Sequence, residues 1–280
     1  MCARTTNLER QMADRQTEHL FDPIDVNPTF THHLLMRGGQ IGKVLKLPPW
    51  LVAILTQQPY ARKDQLNLTD HEKERFLCAY SILNANGTLG NLVAIHAQIH
   101  QQHGTIRFLP WHRVFLLQLE MALRAIHPDV AIPYWDWTNP QEQSIPAWLQ
   151  NATPTVNTPN GPISVVRAPG SPTDLATTAA NVPSILQNTT FNDFTFQLEG
   201  VHDFVHVWVG GSMSSVLTAP ADPIFWMHHA NIDRLWWLWH VSAQGQGKNP
   251  NLSGLAAQMD PWNIAEPQTR DIGALGYTYQ

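Results

Sequence analysis

Histidine clustering is the feature that most constrains the fold of this chain. Eight of its fourteen histidines fall into two clusters: His96, His100, His103 and His112, then His202, His206, His228 and His229. Residues four apart on a helix project from the same face, so His202 and His206 can reach one metal ion. The same spacing separates His96 from His100. A further imidazole must then arrive from another helix, which favours a chain that folds as helices packed around a metal site.

The composition of the two clusters narrows the choice of metal. His112 can complete the first set, and either His228 or His229 can complete the second. A single histidine pair on a helix is most often structural, but two pairs that are each followed by a further histidine indicate a site. Imidazoles with no thiolate and no clear carboxylate ligand favour two copper ions, with zinc as the alternative. A zinc-protease helix is not indicated, because Asp203 stands where that motif needs glutamate.

Composition argues against several classes of function. The 280 residues are 43% hydrophobic and 14% charged, with a net charge of −5, so a nucleic-acid or membrane partner is not expected. Two cysteines are too few for a four-thiolate zinc site. The sequence has neither a phosphate-binding loop nor a serine nucleophile elbow. No apolar leader follows Met1, which predicts a cytoplasmic location.

Apolar periodicity predicts a mainly α protein in a single domain, 1–280, whose core covers about 69–240. A capping pattern at Thr69 and Glu72 begins the first predicted helix. The later predicted helices cover 92–102, about 114–125, 194–208 and 225–240. Proline, threonine and asparagine dominate residues 138–190, which we interpret as a surface-loop excursion from the domain.

Four segments resemble those of tyrosinases and their type 3 copper relatives. They are His103-Gly-Thr-Ile-Arg-Phe-Leu-Pro-Trp-His-Arg113, Pro133-Tyr-Trp-Asp-Trp137, His202-Asp-Phe-Val-His-Val-Trp-Val-Gly-Gly211 and Asp222-Pro-Ile-Phe-Trp-Met-His-His-Ala-Asn-Ile-Asp-Arg-Leu-Trp236. The resemblance implies a four-helix bundle that holds a dinuclear copper site, with long surrounding loops. It also implies O₂ as co-substrate and a small phenol as substrate, which would be hydroxylated to an o-diphenol and oxidised to an o-quinone.

The same resemblance assigns the metal ligands. Copper A falls on His96, His103 and His112, and copper B on His202, His206 and His229. His100 is an alternative to His96, because the loop between the first two copper-A ligands is shortened here. The residues that lead into His96 resemble the family pattern and favour His96.

Several polar residues are candidates to support the ligands. Glu199 stands where relatives carry an acidic residue that orients a water, and Asp203 stands where many tyrosinases carry asparagine. Asp203 can act as the base for an incoming phenol, or it can only hold His202 in place. Asp222, Asn231 and Asp233 are candidates to accept the free ring N–H of a ligand, or to serve as ordinary caps and ion-pair partners.

Three other functions are compatible with the same ligands. They are a catechol or o-aminophenol oxidase without monophenol hydroxylation, an oxygen carrier like a haemocyanin domain, and a zinc hydrolase. Carriers hide their site behind another domain, whereas we expect the site here to be open. A separate copper-delivery partner is compatible with each of the copper functions, and the residues leave the oligomeric state open.

Overall fold

The computed structural model describes residues 60–98 and 102–280. Helices dominate this part of the chain, which confirms the predicted mainly α class. They are α1 (Asp70–Ala85), α2 (Thr88–Gln98), α3 (Phe108–Ile126), α4 (Pro172–Ala179), α5 (Val182–Ile185), α6 (Phe191–Val209) and α7 (Pro223–Val241). None of the helices described is both long and apolar enough to cross a membrane.

Two small sheets accompany the helices. Strand β1 (Tyr60–Arg62) pairs in parallel with β4 (Tyr277–Tyr279), which brings two distant parts of the chain together. Strand β2 (Thr155–Thr158) pairs antiparallel with β3 (Gly161–Ser164). Helices α2, α3, α6 and α7 pack against one another in the centre, and α1 covers α2 and α3.

Local capping explains where the first two helices begin. Thr69 and Glu72 form the predicted capping box, in which the Thr69 side chain accepts from Glu72 N and the Glu72 carboxylate accepts from Thr69 N. Helix α2 begins at Thr88, earlier than the predicted 92, and is described as far as Gln98, so its predicted end at 102 is not tested. The cause of the earlier start is a tight turn in which Gly87 has a φ of 83° and Asn86 Oδ1 accepts from Thr88 N.

The residues at their ends also explain the bounds of helices α3, α6 and α7. Helix α3 extends two residues before Pro110, since proline in a first helical turn costs no hydrogen bond. Helix α7 begins after Asp222, whose carboxylate accepts from Ile224 N. Helix α6 ends at Gly210, where φ is 71° and an added Cβ would lie 2.6 Å from Ala168 O. The last residue of α6, Val209, therefore lies one residue beyond the predicted end at 208.

The interpretation of residues 138–190 as surface loop is wrong. This segment contains the β2–β3 hairpin, α4 and α5, and the side chains of Val156 and Leu175 are fully buried. Each element is too short to show a periodic pattern, although Asn160-Gly161 is a typical hairpin turn. The hairpin packs so closely on α2 that a Cβ at Gly90 would lie 1.9 Å from Asn157 O.

A buried ionic network joins β1 and β4 to the central helices. Arg62 on β1 pairs with Glu120 on α3 at 2.7 Å and with Asp233 on α7 at 3.1 Å. Arg113 on α3 pairs with the same Asp233 at 2.5 Å. The hydroxyls of Tyr277 and Tyr279 on β4 also donate to Asp233. Helices α3 and α7 are thereby held together by two carboxylates and two guanidinium groups.

Candidate metal centre

Helix α6 presents His202 and His206 side by side, as their spacing predicts. Their Nε2 atoms lie 3.0 Å apart, and His229 Nε2 on the facing helix α7 lies 3.1 Å from the first and 3.2 Å from the second. Imidazole nitrogens bind such metals at about 2.0–2.1 Å, so ligands around one ion lie about 3.3 Å apart. The three nitrogens of this B group (His202, His206, His229) therefore suit one ion.

His228 is the rival to His229, because one of its ring nitrogens also lies within 4.8 Å of those of His202 and His206. Its Nδ1 accepts a hydrogen bond from Trp137 Nε1 at 3.0 Å. A neutral imidazole that accepts at Nδ1 carries its proton on Nε2, which leaves no lone pair for a metal. The hydrogen bond from Trp137 therefore favours His229, and the His228 ring instead stacks on His202 with 5.0 Å between centroids.

A second set of histidines adjoins the first. The ligand atoms of this A group (His96 on α2, His103 in the turn before α3, His112 on α3) lie within 4.8 Å of one another. The alternative ligand His100 lies outside the described residues. His112 stacks on His229 with ring centroids 4.4 Å apart, which places the two groups in contact.

Hydrogen bonds orient four of these six rings. Each involves Nδ1 and an oxygen that can only accept, so Nδ1 carries the proton and Nε2 keeps its lone pair. The pairs are His96 with Val216 O at 2.7 Å, His112 with Phe108 O at 2.9 Å, His206 with Met213 O at 2.9 Å, and His202 with Asp203 Oδ1 at 3.0 Å.

Those partners differ from the ones proposed from sequence. Asp222 pairs with Arg167, Asp233 with two arginines, and Asn231 with Asp136 and Arg234, so the structure assigns them to helix capping and ionic contacts. Arg234 also forms an ion pair with Asp136, at 3.3 Å. Main-chain carbonyls accept the ring N–H in three of the four hydrogen bonds. Carbonyls carry no sequence pattern, so sequence reasoning could not find them.

Burial keeps four of these imidazoles neutral, as metal binding requires. Burial lowers the pKa of His206 to about 4, although the hydrogen bond with Met213 O partly opposes this shift. Burial and neighbouring histidines also lower the pKa of His112, His202 and His229 well below the usual value. The Nε2 atom of His112 is buried and has no hydrogen-bond partner among the described residues. A neutral nitrogen left in this way fits a metal ligand.

The two candidate acidic residues occupy different positions. Glu199 Oε1 accepts from Gly104 N at 2.6 Å, next to His103, while Oε2 is buried without a described hydrogen-bond partner. Burial is the main cause that raises the pKa of Glu199 to about 7. Asp203 holds His202 Nδ1, yet 66% of its side chain is exposed. Burial of the remainder raises the pKa of Asp203 above its usual value.

Both histidine groups open into one cavity of about 180 Å³. Its walls are His96, His103, His202, Asp203, His206, Val207, Met213, Ser214, Val216 and Ala219. Val207 and Val216 are wall residues that were not predicted from the sequence. Val207 directly follows the ligand His206 on a predicted helix, and this position could have indicated its place in the wall. Val216 is brought there by the turn at Gly210 and has no comparable pattern.

The sequence-family model for the common central domain of tyrosinase matches residues 86–169 and 162–242 of this chain. The chain belongs to the tyrosinase family. A tyrosinase of Streptomyces antibioticus is 33% identical, in an alignment that covers 74% of this chain and 94% of that protein. These matches confirm the family resemblance seen in the sequence.

Solved structures extend the likeness to the fold. A functional unit of octopus haemocyanin superposes with a TM-score of 0.69 at 26% identity, covering 79% of this chain and 68% of that chain. A tyrosinase of Burkholderia thailandensis gives a TM-score of 0.63 at 18% identity, covering 79% of this chain and 74% of that chain. The fold is that shared by tyrosinases and haemocyanins.

Membership of the tyrosinase family implies a dinuclear copper centre and supports copper-dependent oxidation of phenols. The A and B groups fit that centre, since each offers three imidazoles among the described residues and no thiolate. The two copper ions have a complete set of candidate donors within the described residues.

Proposed function

We propose that this protein uses O₂ to hydroxylate monophenols at the ortho position and to oxidise o-diphenols to o-quinones. The proposed metal ligands are the A group (His96, His103, His112) and the B group (His202, His206, His229). The proposal rests mainly on the cavity that the two groups share, whose wall contains histidines of both. A phenol that enters this cavity meets both metal positions at once.

The size and lining of the cavity suit one aromatic ring. A cavity of about 150 Å³ is known to accommodate benzene in another protein, and this one measures about 180 Å³. Val207, Met213 and Val216 supply apolar wall, while the histidine nitrogens form the polar end. This arrangement holds the ring with its hydroxyl toward the metal positions, which is a proximity effect.

The copper ions, when bound, supply the activation of O₂ and accept electrons from the phenol. The chain itself must manage the phenol proton, because phenols ionise near pH 10 and bind a metal as phenolate. Asp203 also lines the cavity, but its Oδ1 accepts from His202 Nδ1 and its side chain is 66% exposed, so we assign it to orienting His202 rather than to the phenol proton. Glu199 is not a wall residue, so we propose that it acts through a water held between its free Oε2 and the cavity.

Oxygen uptake by the copper-loaded protein tests this proposal, with tyramine and catechol measured in parallel. Uptake with both supports the full activity. Uptake with catechol alone would contradict monophenol hydroxylation and leave a diphenol oxidase.

The likeness to octopus haemocyanin favours one second candidate, an oxygen carrier. Reversible O₂ binding by the copper-loaded protein, with no turnover of either phenol, would support the carrier and contradict the oxidase. Activity with zinc alone would instead support the hydrolase considered from sequence.

A further inference from the structure

The mouth of the cavity combines apolar and acidic character. Val207 is 65% exposed, Val216 is 40% exposed, and Asp203 lies on the same helix as Val207, one turn away. We call these three side chains the rim. Each of them lines the cavity and also meets solvent, so the rim is where a substituent on a bound ring leaves the protein.

The rim offers no positive charge from the described residues. Neither lysine nor arginine occurs among the described residues that line the cavity, and Asp203 is the acidic residue there. Arg107, which is close in sequence to His103, is turned away from the cavity. It donates to Gln102 Oε1 and to Ala256 O in the loop that follows α7.

The orientation of the ring links these observations to substrate choice. If the hydroxyl points toward the histidine nitrogens, a para substituent extends past the two valines and Asp203. A carboxylate at that place would lose water against apolar side chains and approach a like charge. An ammonium group would approach an opposite charge, and its alkyl stem would pack on the valines.

We propose that the site selects phenols with a cationic or neutral para substituent over phenols with a carboxylate, and that Val207 and Asp203 determine this preference. The proposal rests on the proposed phenol oxidation. Two unit charges about 6 Å apart in a partly hydrated site change kcat/KM about three- to tenfold. Attraction between Asp203 and an ammonium group raises kcat/KM by this factor, and repulsion between Asp203 and a carboxylate lowers it by the same factor. The contrast between an amine and an acid is therefore about ten- to hundredfold.

Three catechols that differ in the para substituent test the preference: 3,4-dihydroxyphenethylamine, 4-ethylcatechol and 3-(3,4-dihydroxyphenyl)propionate. All three present the same reacting oxygens to the metal ions, so ratios of kcat/KM isolate the substituent. We expect the amine to be the best substrate and the acid the worst. The contrast should shrink in high salt, since screening weakens exposed charges. An acid preferred over the amine would overturn the proposal.

The substitution Val207→Arg places a positive charge at the rim. It should raise kcat/KM for the acid relative to 4-ethylcatechol about three- to tenfold and lower that for the amine. Val241→Arg is the matched control, because Val241 is 60% exposed at the end of α7 and does not line the cavity. Equal shifts in both variants would assign the effect to net charge and contradict a role for the rim.

Binding to the zinc-loaded protein separates this proposal from the proposed activity. Zinc has no redox chemistry, so the three catechols bind without being oxidised. Calorimetric Kd values in the order amine, ethyl, acid, with the acid strengthened by Val207→Arg, would support the rim even if the copper-loaded protein oxidised none of them. Equal Kd values for the three catechols would overturn the proposed preference at the rim. Absence of oxidation by the copper-loaded protein would overturn only the proposed activity.

Discussion

The A and B histidine groups reach similar geometry by different means. In the B group, one helix supplies His202 and His206 at a spacing of four, and α7 adds His229. In the A group, three separate segments supply His96, His103 and His112. A regular helix sets two of three B ligands before any tertiary packing occurs. The A group exists only once α2, the turn at His103 and α3 have packed together.

The segment that follows Gly210 connects the two groups. Val216 O accepts from His96 in the A group, and Met213 O accepts from His206 in the B group. One short stretch of main chain therefore orients a ring in each group. Side chains therefore supply the candidate ligands, whereas the orientation of their rings depends largely on main-chain carbonyls that the fold brings into place.

The largest expected effect is the loss of the B-group ion. His229→Gln should leave about one copper ion per chain instead of two and abolish catechol oxidation, because the third B nitrogen is lost. His228→Gln is the control and should keep about two ions, since an amide oxygen can still accept from Trp137. Metal analysis and oxygen uptake measure both, and the reverse pattern would make His228 the ligand.

Glu199 connects the two groups, because it lies on α6 with two ligands of the B group and its Oε1 accepts from Gly104 N, next to His103 of the A group. Glu199→Gln should lower kcat/KM for tyramine about 100- to 10,000-fold, the usual worth of a general base. In the unmodified protein, the rate with tyramine should rise with pH as the carboxyl, whose pKa is raised to about 7, becomes ionised. The positive charge of bound ions moves this midpoint downward.

A pH profile of tyramine oxidation checks this prediction, with Asp193→Asn as the control. Asp193 lies in the first turn of the same helix and caps it with Thr190, far along the helix from the cavity. A Glu199→Gln protein that kept both its rate and its pH profile would show that Glu199 is structural.

The ionic contact between α3 and α7 joins the helices of the two groups. Asp233→Ala should reduce the free energy of unfolding by about 3–5 kcal/mol, because it leaves Arg62 and Arg113 buried without that carboxylate. Asp129→Ala removes an exposed ion pair with Arg75 and should cost at most about 1 kcal/mol. Urea unfolding of the copper-free variants gives both values, and equal losses would contradict the prediction.

Acid should weaken the same contact. Burial alone would raise the pKa of Asp233, but Arg113 and Arg62 outweigh it and hold the pKa below its usual value. The stabilisation is therefore present above the ordinary carboxyl range and is lost as the pH falls through the lowered pKa. Unfolding measured down to acidic pH should show a smaller decline in Asp233→Ala than in the unmodified protein.

The smallest expected effect concerns how His202 is oriented. Its Nδ1 partner is a side chain, Asp203, whereas three other ligands use carbonyls that no side-chain substitution removes. Asp203→Ala should weaken copper binding at the B group about 10- to 100-fold, as loss of such partners usually does. Asp203→Asn should lose less, since its amide oxygen still accepts. Chelator titration of copper measures this, and equal losses at both groups would contradict it.

Helix ends illustrate what could be predicted from the sequence. The capping box at Thr69 and the glycine after α6 mark boundaries through local hydrogen bonds and backbone angles, so the start of α1 was predicted correctly and the end of α6 to within one residue. The start of α2 was predicted at 92 but lies at Thr88, because Asn86 Oδ1 accepts from Thr88 N directly after the turn at Gly87. The elements within 138–190 were missed because strands and helices of four to eight residues show no period.

The sequence by itself determined the family, the mainly helical class and the six proposed ligands, because ligand identity and helical spacing are properties of the chain. Tertiary structure alone decided the carbonyl partners at Met213 and Val216, the exposed rim at Val207 and the burial of Asp233 between two arginines. Those features depend on contacts between segments distant in the chain. Only packing, which sums many weak interactions over the whole core, brings such segments together.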